Sequence, residues 1–293
     1  MEKRILVPID YSQVCEEVVT LADEWAQRSN ADLHFLRVDA DYMENGDVDR
    51  DFFEKRFQQF LQNFNVTTPY QTSLRFGTSY VEIMEAVKEL EPDLVIMAAH
   101  SHTLLGRIFL GSNTDYVLHH CDCPVFVHKQ NPMGFANKII VPVDYSEVNK
   151  AVIRIADDWA QRTDSELYFI HTEPVPEYGE GQYAMESGFY QEGDEISVAE
   201  EDEREMTDAC NELKQKFENY VLSLQVKSLY QFFFEFGKPY LKIKDLQTET
   251  GAGLIMMAAH SHTLLNRLFV GSNTDYLLHH LNCPMYIYKA GES

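Results

Sequence analysis

Residues 94–128 read LVIMAAHSHTLLGRIFLGSNTDYVLHHCDCPVFVH, and residues 254–288 read LIMMAAHSHTLLNRLFVGSNTDYLLHHLNCPMYIY. At an offset of 160, 23 of these 35 positions are identical; nine run unbroken (MAAHSHTLL) and six more follow (GSNTDY). Each copy passes from an apolar, strand-like run through a loop and a helical stretch into a second apolar run. A repeat of this size sets the domain count before any other feature. A length of 293 residues also fits two domains, and the expected division is 1–132 and 133–293.

Outward from the repeat, the same order of elements recurs. Residues 4–9 (RILVPI) and 138–143 (KIIVPV) are short apolar strands, each followed by Asp-Tyr-Ser at Asp10 and Asp144. Ser12 and Ser146 are helix N-cap candidates. Val14, Val18, Leu21, Ala22 and Trp25 then fall on one helical face, as do Val148, Val152, Ile155, Ala156 and Trp159. Both tryptophans read as core packing. Second strands at 32–38 and 166–172 lead to amphipathic helices near 49–64 and 202–224, and third strands end at Gly77 and Gly237. The offset changes from 134 to 160 between residues 172 and 235, so the second half carries 26 extra residues. Residues 173–205 hold twelve acids and one base; over 177–201 this insertion is expected to be the least ordered internal segment, or to fold only as a flap on its own domain.

Apolar strands alternating with amphipathic helices imply an α/β fold. Two tandem domains are expected, each a five-stranded parallel sheet with helices on both faces, Rossmann-like. Reversal of strand order puts a cleft at the carboxyl ends of the first and fourth strands. The last strands, 124–127 and 284–287, are apolar edges, and pairing them across the domains would cover both.

The net charge of −23 disfavours nucleic acid and anionic membranes as partners. No apolar run approaches the roughly 20 residues of a membrane span, and the first residues lack a signal-peptide layout. Five cysteines without framework spacing fit a reducing cytoplasm. Cys121 and Cys123 do not form a Cys-x-x-Cys motif, and Cys123 and Cys283 read as packed thiols.

The loops facing the cleft carry Asp10 and Asp144, Val38 and Thr172, the stretches 98–101 and 258–261, and Gly111-Ser112 and Gly271-Ser272, which open the last helices. Free N–H groups and the helix dipole there suit a phosphate. A capping box of Ser112 with Asp115 explains the same residues.

These features together resemble the universal stress protein family in tandem form: Pro-x-Asp-Tyr-Ser after strand one, the histidine-bearing loop after strand four, Gly-Ser at the last helix, and Cys-Pro before the final strand. The resemblance covers both halves and implies an adenine nucleotide hydrolase-like fold and a cytoplasmic, non-catalytic role in stress response. It also implies an adenine nucleotide ligand, ATP among them. In that case Asp10 and Asp144 lie near the ribose or a cation, and the backbone at Val38 and Thr172 meets the adenine edge. The phosphates are cradled by Ala98 to Ser101 with His100, by Gly111, Ser112 and Asn113, and in the second half by Ala258, His260, Ser261, Gly271, Ser272 and Asn273. Arg107 and Arg267 supply positive charge. The nucleotide-binding members carry Gly-x-x-Gly, nine residues, then Gly-Ser/Thr. Here Ala98 and Ser101, and Ala258 and Ser261, replace the first two glycines; their Cβ atoms narrow the place where backbone meets phosphate. The alternatives left open are an interaction or scaffold protein with closed pockets, a slow ATPase, and a histidine-based metal protein. Against a metal, His119 and His120 sit at a helix C-terminus, where the dipole suits histidine, and no ligand-spacing motif is present. No nucleophile–base pair stands out. An intramolecular pseudo-dimer is expected, with a further homodimer left open.

Overall fold

Every apolar run of the repeat becomes a strand, and every amphipathic run a helix, because only that arrangement satisfies the backbone while burying the apolar faces. The computed structural model describes residues 3–39, 49–99, 103–104, 107–108, 110–129, 137–175, 200–259 and 270–289. In the first half, β1 (Lys3–Ile9), α1 (Gln13–Ser29), β2 (Ala31–Asp39), α2 (Arg50–Gln62), β3 (Tyr70–Phe76), α3 (Ser79–Leu90) and β4 (Leu94–Ala98) follow in turn. A two-stranded hairpin of β5 (Thr103–Leu104) and β6 (Arg107–Ile108) precedes α4 (Ser112–His120) and β7 (Val125–His128). The second half repeats the order with β8 (Lys138–Pro142), α5 (Glu147–Thr163), β9 (Glu166–Glu173), α6 (Glu200–Ser223), β10 (Tyr230–Phe236), α7 (Pro239–Thr250), β11 (Leu254–Ala258), α8 (Ser272–His280) and β12 (Met285–Tyr288). The acidic insertion expected at 177–201 lies almost wholly outside the described residues; only its end enters α6.

Within each half the five strands are parallel, ordered β3-β2-β1-β4-β7 and β10-β9-β8-β11-β12. The two sheets are one. β7 and β12 pair antiparallel, with Phe126 opposite Tyr286, giving ten continuous strands. Each apolar last strand thus covers the other's edge.

Two cores lie on the two faces of this sheet, and each crosses the junction between the halves. On one face α1, α2, α5 and α6 cover Val7, Phe35, Ile96, Phe126, Val141 and Phe169. On the other, α3, α4, α7 and α8 cover Leu6, Val95, Val127, Ile140, Ile255 and Ile287. Trp25 and Trp159 pack in the core as expected, and they do so against each other between α1 and α5, with ring centroids 3.9 Å apart and planes at 25°. Trp25 also stacks on Tyr286 of β12. The antiparallel β7–β12 pair brings α1 and α5 side by side, which makes the tryptophan face of each helix the face toward its twin.

Buried cations complete the junction. Lys129 follows β7 and is fully buried; its Nζ donates to Leu278 O and, at 2.8 Å, to Leu281 O at the end of α8. Reciprocally, Lys289 Nζ donates to Leu118 O and, at 2.6 Å, to Cys121 O at the end of α4. Each half therefore caps the last helix of the other, satisfying carbonyls that a helix C-terminus leaves orphaned. No helix among the described residues is long and apolar enough to cross a membrane.

Candidate functional site

At the carboxyl ends of β1 and β4 the strand order reverses, and each half opens a cleft there. The first cleft, about 480 Å³, is lined by Asp10, Arg37, Val38, Ala98 and Gly111 to Thr114, among others. The second, about 540 Å³, is lined by Asp144, Asn149, His171, Thr172, Ala258 and Gly271 to Thr274. Both volumes fall in the range of small-molecule sites, ~300–1,000 Å³.

The loop after strand one is built alike in both halves. Asp10 Oδ1 accepts from Ser12 N at 2.9 Å, and Asp144 Oδ1 from Ser146 N at 2.8 Å. Ser12 and Ser146 cap α1 and α5 through Cys15 N and Asn149 N, as their sequence position predicts. Between aspartate and serine the chain must turn sharply, so Tyr11 and Tyr145 sit at φ of 63° and 62°, a conformation that costs a non-glycine residue ~1 kcal/mol or more. Ring packing holds them there. Tyr11 lies 4.9 Å from Phe60 with the Arg37 guanidinium 4.2 Å over its face. Tyr145 lies 4.5 Å from His171 and 5.0 Å from Tyr220, and burial raises its phenol to about 12.

The N-terminal ends of the last helices differ from the capping-box reading. Gly111, not Ser112, is the N-cap of α4, at φ 75° and ψ 139°, and Gly271 is the N-cap of α8 at φ 83°. A glycine has no side chain to cap with, so Ser112 becomes the first helical residue, and no side chain among the described residues caps either helix. The first N–H groups of both helices thus face the clefts with the positive end of the helix dipole. At the foot of the first cleft, buried Thr114 Oγ1 donates to Ala98 O at 3.0 Å.

Of the residues singled out in the sequence, Asp10, Val38, Ala98, Gly111, Ser112 and Asn113 line the first cleft together, and Asp144, Thr172, Ala258, Gly271, Ser272 and Asn273 line the second. His100, Ser101, His260, Ser261 and Arg267 lie outside the described residues, and Arg107 is described only through its backbone in β6. The Nδ1 atoms of His119 and His120 donate to Asp115 O and Tyr116 O one turn back, and His280 does the same to Tyr276 O. Among the described residues no three His, Cys, Asp or Glu side chains converge as a metal site would require.

The sequence reading missed a pair at the end of the second strand. In the first half, Arg37 donates to Ile9 O at 3.1 Å and to Asp39 Oδ1. In the second, His171 Nδ1 donates to Val143 O at 2.7 Å, and Nε2 meets Glu173 Oε1 at 3.0 Å. The positions correspond, so a guanidinium and an imidazole make the same bridge from the strand-one carbonyl to a strand-two carboxylate. The signal was visible as polar residues two apart on one face of an otherwise apolar strand. A further difference lies at residue 15 and its counterpart 149. Cys15 is buried and its thiol is raised to about 12 by desolvation. Asn149 donates to Pro142 O at 2.7 Å, while its buried Oδ1 has no hydrogen-bond partner among the described residues and is a ready acceptor beside the second cleft.

The model of the universal stress protein family matches residues 1–129 and 136–289. Among curated relatives, universal stress protein E of Salmonella typhi is 24% identical over 208 residues, 68% of this chain and 62% of that protein; the match thus spans under two thirds of that relative's length. A universal stress protein of Synechocystis sp. is 26% identical over 156 residues, 53% of this chain and 98% of its own. Among solved structures, a universal stress protein from Archaeoglobus fulgidus superposes with a TM-score of 0.66 at 17% identity, covering 98% of both chains.

Proposed function

Since the chain belongs to the universal stress protein family through both of its halves, we propose that it is a non-catalytic stress-response protein that binds an adenine nucleotide, ATP among them, in one or both clefts. The units are residues 1–132 and 133–293, and the compartment is the cytoplasm. The observation that carries this reading is the pair of uncapped helix N-termini at Gly111 and Gly271, each opening onto a cleft of nucleotide size. A net charge of −23 opposes an anion at long range, so the attraction must be local, and backbone N–H groups at a helix end provide it. Asp10 and Asp144 stand at the ribose or cation position, and the backbone at Val38 and Thr172 at the adenine edge.

Calorimetric titration of ATP, AMP and cyclic AMP into the nucleotide-stripped chain tests this. Saturable binding of at least one is expected; no heat with any of them would overturn the reading. Ala98→Gly combined with Ser101→Gly should tighten ATP about tenfold, ~1.4 kcal/mol, and leave adenosine affinity unchanged. Equal ATP affinity in wild type and double variant would show that these side chains do not limit phosphate approach.

A further inference from the structure

Away from the clefts, Cys121 and Cys123 lie in the turn between α4 and β7, flanking Asp122. Their Sγ atoms are 3.1 Å apart, about 1 Å beyond a disulfide bond length of ~2.05 Å. Cys121 is held from three sides. Its N–H donates to Val117 O at 2.8 Å, its carbonyl accepts from buried Lys289 at 2.6 Å, and its side chain packs in the core under α3 and α4. Cys123 is partly exposed.

The two sulfurs divide one proton unequally. The Cys123 thiol donates to Cys121 and pulls the Cys121 thiol below its ordinary range; the buried ammonium of Lys289 acts in the same sense, and burial opposes both. The same hydrogen bond raises Cys123. The second half is an internal control. Leu281 replaces Cys121, and Cys283 is a lone buried thiol that donates to Ala252 O at 3.5 Å and is raised to about 12 by burial, the environment of an inert cysteine.

We propose that Cys121 and Cys123 form a dithiol that hydroperoxides oxidise reversibly to a disulfide. Cys123, the sulfur that solvent reaches, attacks a peroxide oxygen while its proton passes to the Cys121 thiolate 3.1 Å away: the S–O bond forms, the O–O bond breaks, and the departing oxygen takes a proton from solvent to leave as an alcohol, or as water from hydrogen peroxide. Cys121 Sγ then attacks Cys123 Sγ. The S–S bond forms, the S–O bond breaks, and hydroxide takes up the Cys121 proton and leaves as water. The sulfurs lose two electrons and the peroxide gains them. A thiol donor reverses the change by exchange at Cys123. The site touches both the Lys289 contact between the halves and the helix whose other end lines the first cleft, yet it stands independently of any nucleotide.

The full chain is treated with hydrogen peroxide, alkylated and digested without reductant. The peptide containing residues 121–123 should lose 2 Da and escape alkylation, with dithiothreitol restoring both, and should do so at least tenfold faster than the lone, partly exposed Cys210 is oxidised. Cys15 and Cys283 should stay reduced. Cys121→Leu copies the second half and preserves packing; there Cys123 should accumulate a dimedone-trapped sulfenic acid and form no disulfide. Persistent alkylation of both Cys121 and Cys123 while Cys210 oxidises, or a sulfenic acid on wild-type Cys123 that never resolves, would overturn the proposal.

Discussion

The reciprocal lysine caps make a test of how the halves are joined. Burial lowers the Lys129 ammonium from 10.5 to about 7. A neutral amine has two N–H donors, and two carbonyls, Leu278 O and Leu281 O, accept from it. For a base whose folded pKa is depressed, the unfolded chain binds the proton over the interval between the two values and the folded chain does not. Stability therefore rises with pH from about 7 to 10.5. At 1.36 kcal/mol per pH unit, the wild type gains about 4 kcal/mol between pH 7 and 10.5, and about 3 kcal/mol between pH 7 and 9.5. Lys129→Met keeps the volume and removes the titration, and also removes two hydrogen bonds that contribute ~0.5–1.5 kcal/mol each when made. The variant should be near wild-type stability at pH 7 and fall behind it steadily above. Urea denaturation of both proteins from pH 7 to 9.5 reads this directly, because other groups titrate alike in the two and cancel in the difference. Parallel pH profiles would refute the neutral-amine account. Lys289→Met should diverge less, because Cys121, Cys123 and Asp122 favour the charged form of Lys289 against its burial.

Three further outcomes follow from the packing. Glu91 ends α3 at φ 44°, where Gly251 ends α7 at φ 65°; Glu91→Gly should stabilise the chain by about 0.5–1 kcal/mol in thermal or urea melts, and destabilisation would show that the αL strain is not felt. Trp25→Ala should cost about 3–5 kcal/mol, and Trp159→Phe should abolish the indole–indole exciton band in circular dichroism, since the chain has only two tryptophans; a surviving band would refute the stack. Arg37→Met should cost about 3 kcal/mol by leaving buried Asp39 without its cation, whereas Arg37→His should recover most of that loss because His171 makes the same bridge in the second half; equal urea midpoints for wild type and Arg37→Met would show that the bridge contributes nothing, and equal midpoints for the two variants that histidine cannot replace it.

The order of elements and the parallel sheet of each half were legible because both depend on periodicity and on the repeat, which local sequence records. The serine caps of α1 and α5 were legible for the same reason: a cap acts within three residues. What the sequence hid was set by neighbours distant along the chain. Trp25 and Trp159 carry the same helical spacing whether they face their own sheet or each other, and only the antiparallel β7–β12 pair decides between the two. Lys129 and Lys289 look like solvated ends of apolar strands until the partner helix termini arrive from the other half, 149 and 171 residues away. The cap of α4 was misread for a local reason: Gly-Ser-Asn-Thr-Asp allows either residue as N-cap, and the positive φ that excludes serine appears only once the chain bends out of β4.

The duplication itself separates what the fold requires from what a cleft can vary. Gly111 to Thr114 and Gly271 to Thr274 are identical, as are Ala98 and Ala258, the two tryptophans and the two asparagines at the helix N-termini. These positions hold the junction and the N-terminal ends of α4 and α8, where backbone conformation or close packing admits few residues. The differences gather at the other end of each cleft: Arg37 against His171, Val38 against Thr172, Cys15 against Asn149, Ser79 against Pro239. A ligand that shares one chemistry at its anionic end would meet the same backbone in both halves, but a different side-chain wall around the rest. On the reading proposed above, the phosphate end is common to the two sites, and the base and ribose end discriminates between them. Two sites of unequal affinity for a single nucleotide are then the expected consequence of fusing the copies, because a fused chain frees one wall to change while the other keeps the original fit.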